Sequence, residues 1–235
     1  MHQFFHAFTN PFYFRQSLPD VWSGFLVNVH MMVVAEAFVL VLALLIAIVR
    51  GLPGPAARPL RVLAIVYTDF FRGTPLTIVA LMCLLGLPGT GFAFFKNASS
   101  ESLGILALAL VYTAYVTEVY RAGIESVHGS QRMAARSLGL SYWQALRYVV
   151  LPQAIRRVIP PLLNDFIGLQ KDTAIIGAIG VTEAAAQGTN FANNFFNYTG
   201  FFVGAVFFVY LTIPLARFTD HIIRERELRE RAAAV

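Results

Sequence analysis

The stretch GFLVNVHMMVVAEAFVLVLALLIAIV, residues 24–49, decides the fold class of this chain. About 20 apolar residues in a helix cross roughly 30 Å of hydrocarbon, so this stretch is long enough to span a membrane. Four further apolar stretches occur near residues 64–88, 102–120, 158–180 and 200–219. The sequence therefore predicts an all-α polytopic membrane protein with about five transmembrane helices.

The composition supports a membrane protein and excludes several other classes. Of the 235 residues, 13% are charged and 57% are apolar or tyrosine, whereas a typical soluble domain has about 25% charged residues. So few charges cannot cover a water-facing surface, which excludes a disordered chain and most soluble enzymes. Cys83 is the only cysteine, so one chain holds neither a disulfide nor a cysteine-based metal site.

The basic residues predict the topology. Fourteen of the 18 Lys and Arg residues lie in regions 50–61, 121–157 and 217–231. With five spans these regions face the same side, and the positive-inside rule makes that side cytoplasmic. The N-terminus is then outside and the C-terminus inside, and the net charge of +5 reflects topology, so no nucleic acid partner is expected. The predicted division is an outer segment 1–19, a membrane domain 20–222 and a cytoplasmic tail 223–235.

The loop near residues 125–152 has the pattern of two capped helices. Ser130 is suited to cap a helix over residues 131–138, which Gly139 ends in the left-handed conformation. Ser141 and Gln144 form a capping box that starts a second helix, and Pro152 is expected to kink or break it. From shape alone this loop is either a docking element for another protein or a plain connector.

The residues of this loop resemble a known family. The run GSQRMAARSLG at 129–139, followed by VVLP at 149–152, resembles the EAA loop of ABC importer permeases, which docks on an ATPase. Two departures from the family pattern are Met133, where Glu is usual, and Ser130, where Gly is frequent. Four other stretches resemble the polar amino acid branch (His, Glu, Gln, Arg or opine) of that family: residues 71–76, 114–123, 151–154 and 171–174.

The resemblance implies a type I ABC importer permease fold with a cytoplasmic coupling helix in a bacterial inner membrane. It implies a dimer with an identical or similar permease, two ATPase subunits that bind ATP and Mg, and an extracytoplasmic solute-binding protein. It also implies that the substrate is a polar amino acid. The positions that match the coupling motif are Gln131, Met133, Ala134, Ala135, Gly139, Leu151 and Pro152.

Charged residues within the apolar stretches are candidates for function, because each costs about 2.5–3.5 kcal/mol at a helix centre. Glu118 either holds a substrate ammonium or forms a buried salt bridge with Arg72 or Lys171. Lys171 and Asp172 either pair locally or line the pathway. The pathway candidates are Thr117, Glu118, Lys171, Asp172 and Thr173.

Two further predictions concern a hinge and a metal. Pro75 removes a helix hydrogen bond, so Gly73 and Pro75 are interpreted as a hinge. His30, Met31 and Met32 are interpreted as packing residues, and no metal site is predicted, because nothing nearby completes a ligand set.

The chain contains no phosphate-binding Gly-x-x-x-x-Gly-Lys-Ser/Thr loop, no His-Glu-x-x-His motif and no Gly-x-Ser-x-Gly motif. We therefore expect no enzyme activity and no cofactor in this chain, and the energy for transport must come from elsewhere. The alternatives to an ATPase-driven permease are a gradient-driven carrier and a structural membrane subunit. Five spans without a visible repeat argue against a carrier that acts alone.

Overall fold

The computed structural model describes residues 7–52, 54–127 and 129–232, and no strand occurs in them. The ends of the predicted segments 1–19 and 223–235 lie outside the described residues. The all-α prediction is confirmed. The helices are α1 Pro11–Gly51, α2 Arg58–Gly73, α3 Leu76–Leu81, α4 Ser100–Glu125, α5 Gly129–Ser137, α6 Tyr142–Ala145, α7 Leu151–Gly177, α8 Ala184–Phe195 and α9 Thr199–Ala232, with π turns at Met82–Gly86 and Leu146–Val150 and short turns at Leu87–Gly89 and Ala93–Lys96.

Helices occupy all five stretches that the sequence predicts as spans. By length and apolarity, α1, α4 and the Thr199–Glu225 part of α9 can each cross a membrane, and α2 with Leu76–Gly89 makes a fourth candidate. Helix α7 has 27 residues but contains Arg, Lys and Asp side chains, which keep it out of that group. Because polar side chains are tolerated in a membrane only inside protein or a water-filled cavity, α7 belongs in the centre of the bundle.

The bundle is packed around α1, α4 and α7. Ala35 and Ala43 of α1 share one buried apolar cluster with Ala107 of α4 and with Leu169 and Ile176 of α7. Alanine side chains let helix backbones approach closely, which is how membrane helices associate without a hydrophobic driving force between them. The three helices therefore form the scaffold that holds the polar residues described below.

Two glycines bring α4 and α7 together at both ends of their contact. A Cβ atom at Gly104 would lie 2.5 Å from Ile176 Cγ2, and a Cβ atom at Gly123 would overlap Val158 Cγ1. Any larger residue at either position would push α7 away from α4.

The outside of the bundle is apolar, as a lipid-facing surface must be. Large apolar side chains of α1 and α2 are exposed there: Leu44, Leu45, Ile48, Val62, Leu63 and Val66.

The second predicted span is broken after Gly73. Helices Arg58–Gly73 and Leu76–Gly89 meet at an angle of 105°. Thr74 is extended, with φ −102° and ψ 128°, because the ring of Pro75 disfavours a helical residue before it. The break predicted from the sequence is confirmed, whereas movement of the two helices about it stays a prediction.

The long helices α1 and α9 extend past the expected ends of the membrane domain. Helix α1 begins at Pro11, where the Asn10 side chain accepts a hydrogen bond of 2.9 Å from Phe12 N–H. Helix α9 continues to Ala232 without interruption.

Candidate functional site

A polar cleft runs along α4 and α7 beside the break in the second span. Its break-side cavity, of about 490 Å³, is lined by residues of the break and by α4 and α7. Its loop-side cavity, of about 840 Å³, extends to Ser126 and Arg157, next to the 125–152 loop. Arg72, Tyr115 and Asp165 line both cavities, so we treat them as one central cleft.

Two carboxylates of α7 face the break-side cavity. Asp165 and Asp172 are seven residues apart, which places them on one face of the helix. Tyr112 donates a hydrogen bond of 2.8 Å from its hydroxyl to Asp172 Oδ2. Asp165 Oδ2 is buried and accepts no hydrogen bond from the described part of the chain. Asp165 therefore lines the cleft and keeps one covered oxygen that no donor of the described chain satisfies, as does Glu36 Oε2 of α1.

Arg72 supplies the opposite charge to the same cleft. It is the next-to-last residue of α2, directly before the break at Thr74, and its side chain is 43% exposed. The hydroxyl of Tyr115 lies 3.4 Å from the Arg72 carbonyl oxygen. Because the helix ends here, the guanidinium and the two carboxylates of α7 line one cavity.

Glu118 lies at the loop-side end of the cleft among three arginines. Its Oε1 accepts a hydrogen bond from Arg50 Nη1, and its Oε2 accepts one of 2.8 Å from Arg121 Nε. Arg72 Nη1 is 3.9 Å from Glu118 Oε1, and Arg121 also pairs with Glu125. Of the two alternatives from the sequence, the geometry favours the ion pair, with Arg50 and Arg121 as the main partners, which the sequence analysis did not name.

The other predicted pathway residues are placed differently. Thr117 and Thr173 are fully buried, donate hydrogen bonds to the Thr113 and Gln170 carbonyls at 2.6 and 2.7 Å, and line neither cavity of the cleft. Lys171 is exposed. Among the described residues no ion pair joins Lys171 to Asp172. Of these four residues, only Asp172 lines the cleft.

Most of the predicted geometry of the 125–152 loop is present. Helix α5 ends in a left-handed Gly139, with φ 84°. Gly139 N–H donates to Arg136 O at 3.0 Å and Leu140 N–H to Ala135 O at 3.2 Å, which is the Schellman end of a helix. The capping box is also present, with Ser141 N–H bound to Gln144 Oε1 at 2.8 Å and Gln144 N–H to Ser141 Oγ at 3.3 Å.

Two details of the loop differ from the expectation. Helix α5 begins at Gly129, so Ser130 lies in its first turn and is not the cap. The helix is not broken at Pro152, because the π turn Leu146–Val150 leads directly into α7 and Leu151 N–H bonds to Leu146 O. Pro152 stands at the start of α7, where a missing N–H is tolerated.

The two alanines of the coupling motif in α5 differ in exposure. Ala134 is exposed, but Ala135 is 4% exposed and is covered by the chain itself. Adjacent helical residues point about 100° apart, which explains the difference. Gln131 is exposed, as are Met133 at 65% and Leu138 at 84%, so a partner would meet this apolar side of α5.

Several residues that line the cleft were not among the pathway residues predicted from the sequence. Asp165 lies within the fourth apolar stretch, and its spacing from Asp172 would have placed both on one face. Tyr112 and Asn164 also line the break-side cavity. No signal in one sequence marks a tyrosine or an asparagine as cleft-lining. In the described part of the chain no His, Cys, Asp or Glu group is arranged to hold a metal ion.

A bundle of membrane helices with a bipolar cleft and a capped two-helix loop defines a membrane permease subunit. The chain belongs to the family described as binding-protein-dependent transport system inner membrane component, whose model matches residues 40–227. This membership confirms the resemblance to ABC importer permeases and favours it over the gradient-driven carrier and the structural subunit.

Curated relatives and solved structures agree. The chain is 32% identical over 205 residues to the probable glutamine ABC transporter permease GlnM of Bacillus subtilis, covering 87% of this chain and 92% of that protein. It is 34% identical over 209 residues to the glutamate transport system permease GluC of Corynebacterium glutamicum, covering 84% and 90%. A crystal structure of an amino acid ABC transporter with histidines matches with a TM-score of 0.80, 30% identity and coverage of 88% and 94%. The MetNI methionine transporter shares the fold, with a TM-score of 0.72 at 20% identity and coverage of 87% and 95%.

Proposed function

We propose that this chain moves a polar amino acid through the central cleft, as the permease subunit of an ABC importer in a bacterial cytoplasmic membrane. The observation that carries the proposal is a cleft with Arg72 on one side and Asp165 and Asp172 on the other. A free amino acid carries a carboxylate and an ammonium, which match these charges. The names of the glutamine and glutamate relatives support the same substrate class.

Asp165 and Arg72 are the primary substrate contacts in this proposal. Asp165 Oδ2 is buried without a donor, and leaving such an acceptor unsatisfied costs about 1–3 kcal/mol. A substrate ammonium bound there removes this cost. The guanidinium of Arg72 can bind a carboxylate through two parallel hydrogen bonds. Lys171 and the buried Thr117 and Thr173 have no direct contact with substrate in this proposal.

The proposed partners supply a cover for the charged cleft and a source of energy for transport. A cleft with charges cannot face lipid, so a second permease chain, identical or similar, covers it. The 125–152 loop docks on an ATPase that binds ATP and Mg, since this chain has no phosphate-binding loop. A solute-binding protein delivers the amino acid from outside, where the N-terminus lies, and the C-terminus is cytoplasmic. Gly73 and Pro75 are the hinge of the broken span.

The substrate is tested by uptake into vesicles. The permease is purified with its ATPase and binding protein, reconstituted, and supplied with radiolabelled glutamine, glutamate, histidine or arginine. We expect uptake of at least one of them that requires ATP. Vesicles without ATP but with an imposed proton or sodium gradient are the control, and uptake driven by the gradient alone would contradict the proposal.

The docking of α5 is tested by substituting its two alanines, one at a time. Ala134→Glu places a charge on the exposed face, so the complex should assemble in the membrane but lose the coupling between ATP hydrolysis and uptake. Ala135→Glu is the comparison, because it buries a charge inside the loop and should lower the amount of folded permease. Normal uptake and coupling with Ala134→Glu would refute docking at this face.

A further inference from the structure

A fully buried carboxylate stands at the start of α8. Glu183, the residue before this helix, is 0% exposed. Its Oε2 accepts a hydrogen bond of 3.0 Å from Ala185 N–H, and its Oε1 accepts one of 2.8 Å from Ala186 N–H. Glu183 therefore caps α8, since these N–H groups have no partner within the helix.

Asn28 connects this cap to two other helices. Its side-chain amide donates to Glu183 Oε2 at 2.9 Å and to Thr173 Oγ1 at 3.0 Å, and its Oδ1 accepts from Ala184 N–H at 3.1 Å. One buried side chain of α1 thus holds α7 and the first turn of α8 at the same time. We call Asn28, Thr173 and Glu183 the three-helix junction.

Two glycines make room for the junction. A Cβ atom at Gly24 would lie 2.6 Å from the carbonyl carbon of Glu183, and a Cβ atom at Gly177 would overlap Glu183 Oε1. The backbone of α1 therefore lies directly against residue 183, and the end of α7 lies against its carboxylate. Three helices therefore meet here in close contact.

The junction is too polar to serve packing alone. In the described part of the chain no cation pairs with Glu183, and its partners are an amide side chain and backbone N–H groups at a helix start, which favour negative charge. Burying a charge is unfavourable, and apolar residues usually fill such a space at least as well. What the hydrogen bonds add is a fixed direction and distance between the helices.

We propose that Asn28 and Glu183 are positioning residues for transport, because the three-helix junction makes α1, α7 and α8 move as one body. Thr173 directly follows Asp172, whose side chain lines the cleft. The junction therefore fixes where the part of α7 that carries this carboxylate stands relative to α1 and α8. The transport part of this inference rests on the proposed function of the cleft, whereas the mechanical part does not.

The test uses nearly isosteric variants in the assembled complex. Glu183→Gln replaces one accepting oxygen by an NH2 group, which then faces another N–H donor. Asn28→Asp places a second carboxylate beside that of Glu183. In the double variant, the amide at 183 can donate to the carboxylate at 28, so part of the junction re-forms. Glu101→Gln, which removes a partly exposed carboxylate bonded to His30 outside the junction, is the control.

Hydrogen exchange of the backbone and uptake per complex are both measured. Glu183→Gln should speed exchange at positions 185 and 186 by about ten- to a hundredfold, as expected from a lost charged hydrogen bond. Exchange in α4 and the yield of complex should stay unchanged, and the amino acid moved per ATP hydrolysed should fall. The double variant should recover part of both losses, and Glu101→Gln should change neither.

Three results would overturn the proposal: unchanged exchange at 185 and 186, faster exchange in all helices with complex and uptake lost in proportion, or a double variant no better than the sum of the single ones. Exchange is measured without amino acid. A wild-type complex that takes up none of the four amino acids would therefore refute the proposed substrate class and leave the mechanical result valid.

Discussion

The two ends of the central cleft hold carboxylates in opposite situations. At the loop-side end, Glu118 is surrounded by Arg50, Arg121 and, at 3.9 Å, Arg72. At the break-side end, Asp165 has a buried oxygen without a donor and Asp172 has the hydroxyl of one tyrosine. A carboxylate that is already satisfied holds helices together, whereas one that is not can bind a substrate. We therefore expect the substrate to contact Asp165 and not Glu118.

The largest effect is expected from Glu118→Gln. The change leaves Arg50 without its carboxylate and Arg121 with Glu125 alone, and breaking such a pair costs up to about 3 kcal/mol at a partly buried site. The amount of assembled complex, measured by purification from membranes, should fall, and uptake should fall in proportion.

The matched control is Glu125→Gln, the other partner of Arg121. Its side chain is 61% exposed, and exposed pairs contribute about 0.2–1 kcal/mol, so the complex should be nearly unaffected. Full assembly of Glu118→Gln with a selective loss of uptake would reverse the comparison and place Glu118 on the substrate path.

The second-largest effect is expected from Asp165→Asn. The amide loses one charge-assisted hydrogen bond to the substrate, about 1.5–3 kcal/mol, which corresponds to roughly ten- to a hundredfold in uptake per complex at low substrate concentration. The yield of complex should not fall, because Asp165 Oδ2 has no donor to lose in the described chain. Asp69→Asn, at an exposed carboxylate of α2, should change neither quantity. Unchanged uptake with Asp165→Asn would remove this residue from the pathway.

Local chemistry was sufficient for most of the fold. The five helical stretches follow from apolar length, the left-handed Gly139 and the Ser141–Gln144 box follow from capping rules, and the break at Gly73 follows from Pro75. Each of these depends on residues close together in the chain. Of the kink or break expected at Pro152, the break is absent, because a π turn can lead into a proline at the start of a helix.

Contacts between distant residues were out of reach. Arg121, three residues from Glu118 on α4, could have been read from helical spacing, but Arg50 is 68 residues from its partner. Glu183 gave only a weak signal, a carboxylate before three alanines, and nothing in the sequence indicates that Asn28 reaches it from 155 positions away. The burial of Ala135 was out of reach for the same reason, since what covers it depends on tertiary packing.

The smallest effect is expected from Tyr112→Phe, which removes the donor that Asp172 has at the break-side end. Losing one hydroxyl bond to a carboxylate costs about 1.5 kcal/mol, at the low end of the range for charged groups, so uptake per complex should change about tenfold. Tyr67→Phe is the matched control, because its hydroxyl donates to the Leu110 carbonyl at 2.7 Å and lies outside the cleft lining. Both variants should lose similar stability on thermal unfolding of the complex, but only Tyr112→Phe should alter uptake per complex. Equal uptake in the two would mean that Asp172 is held by the scaffold alone, leaving Asp165 as the single carboxylate of α7 that meets the substrate.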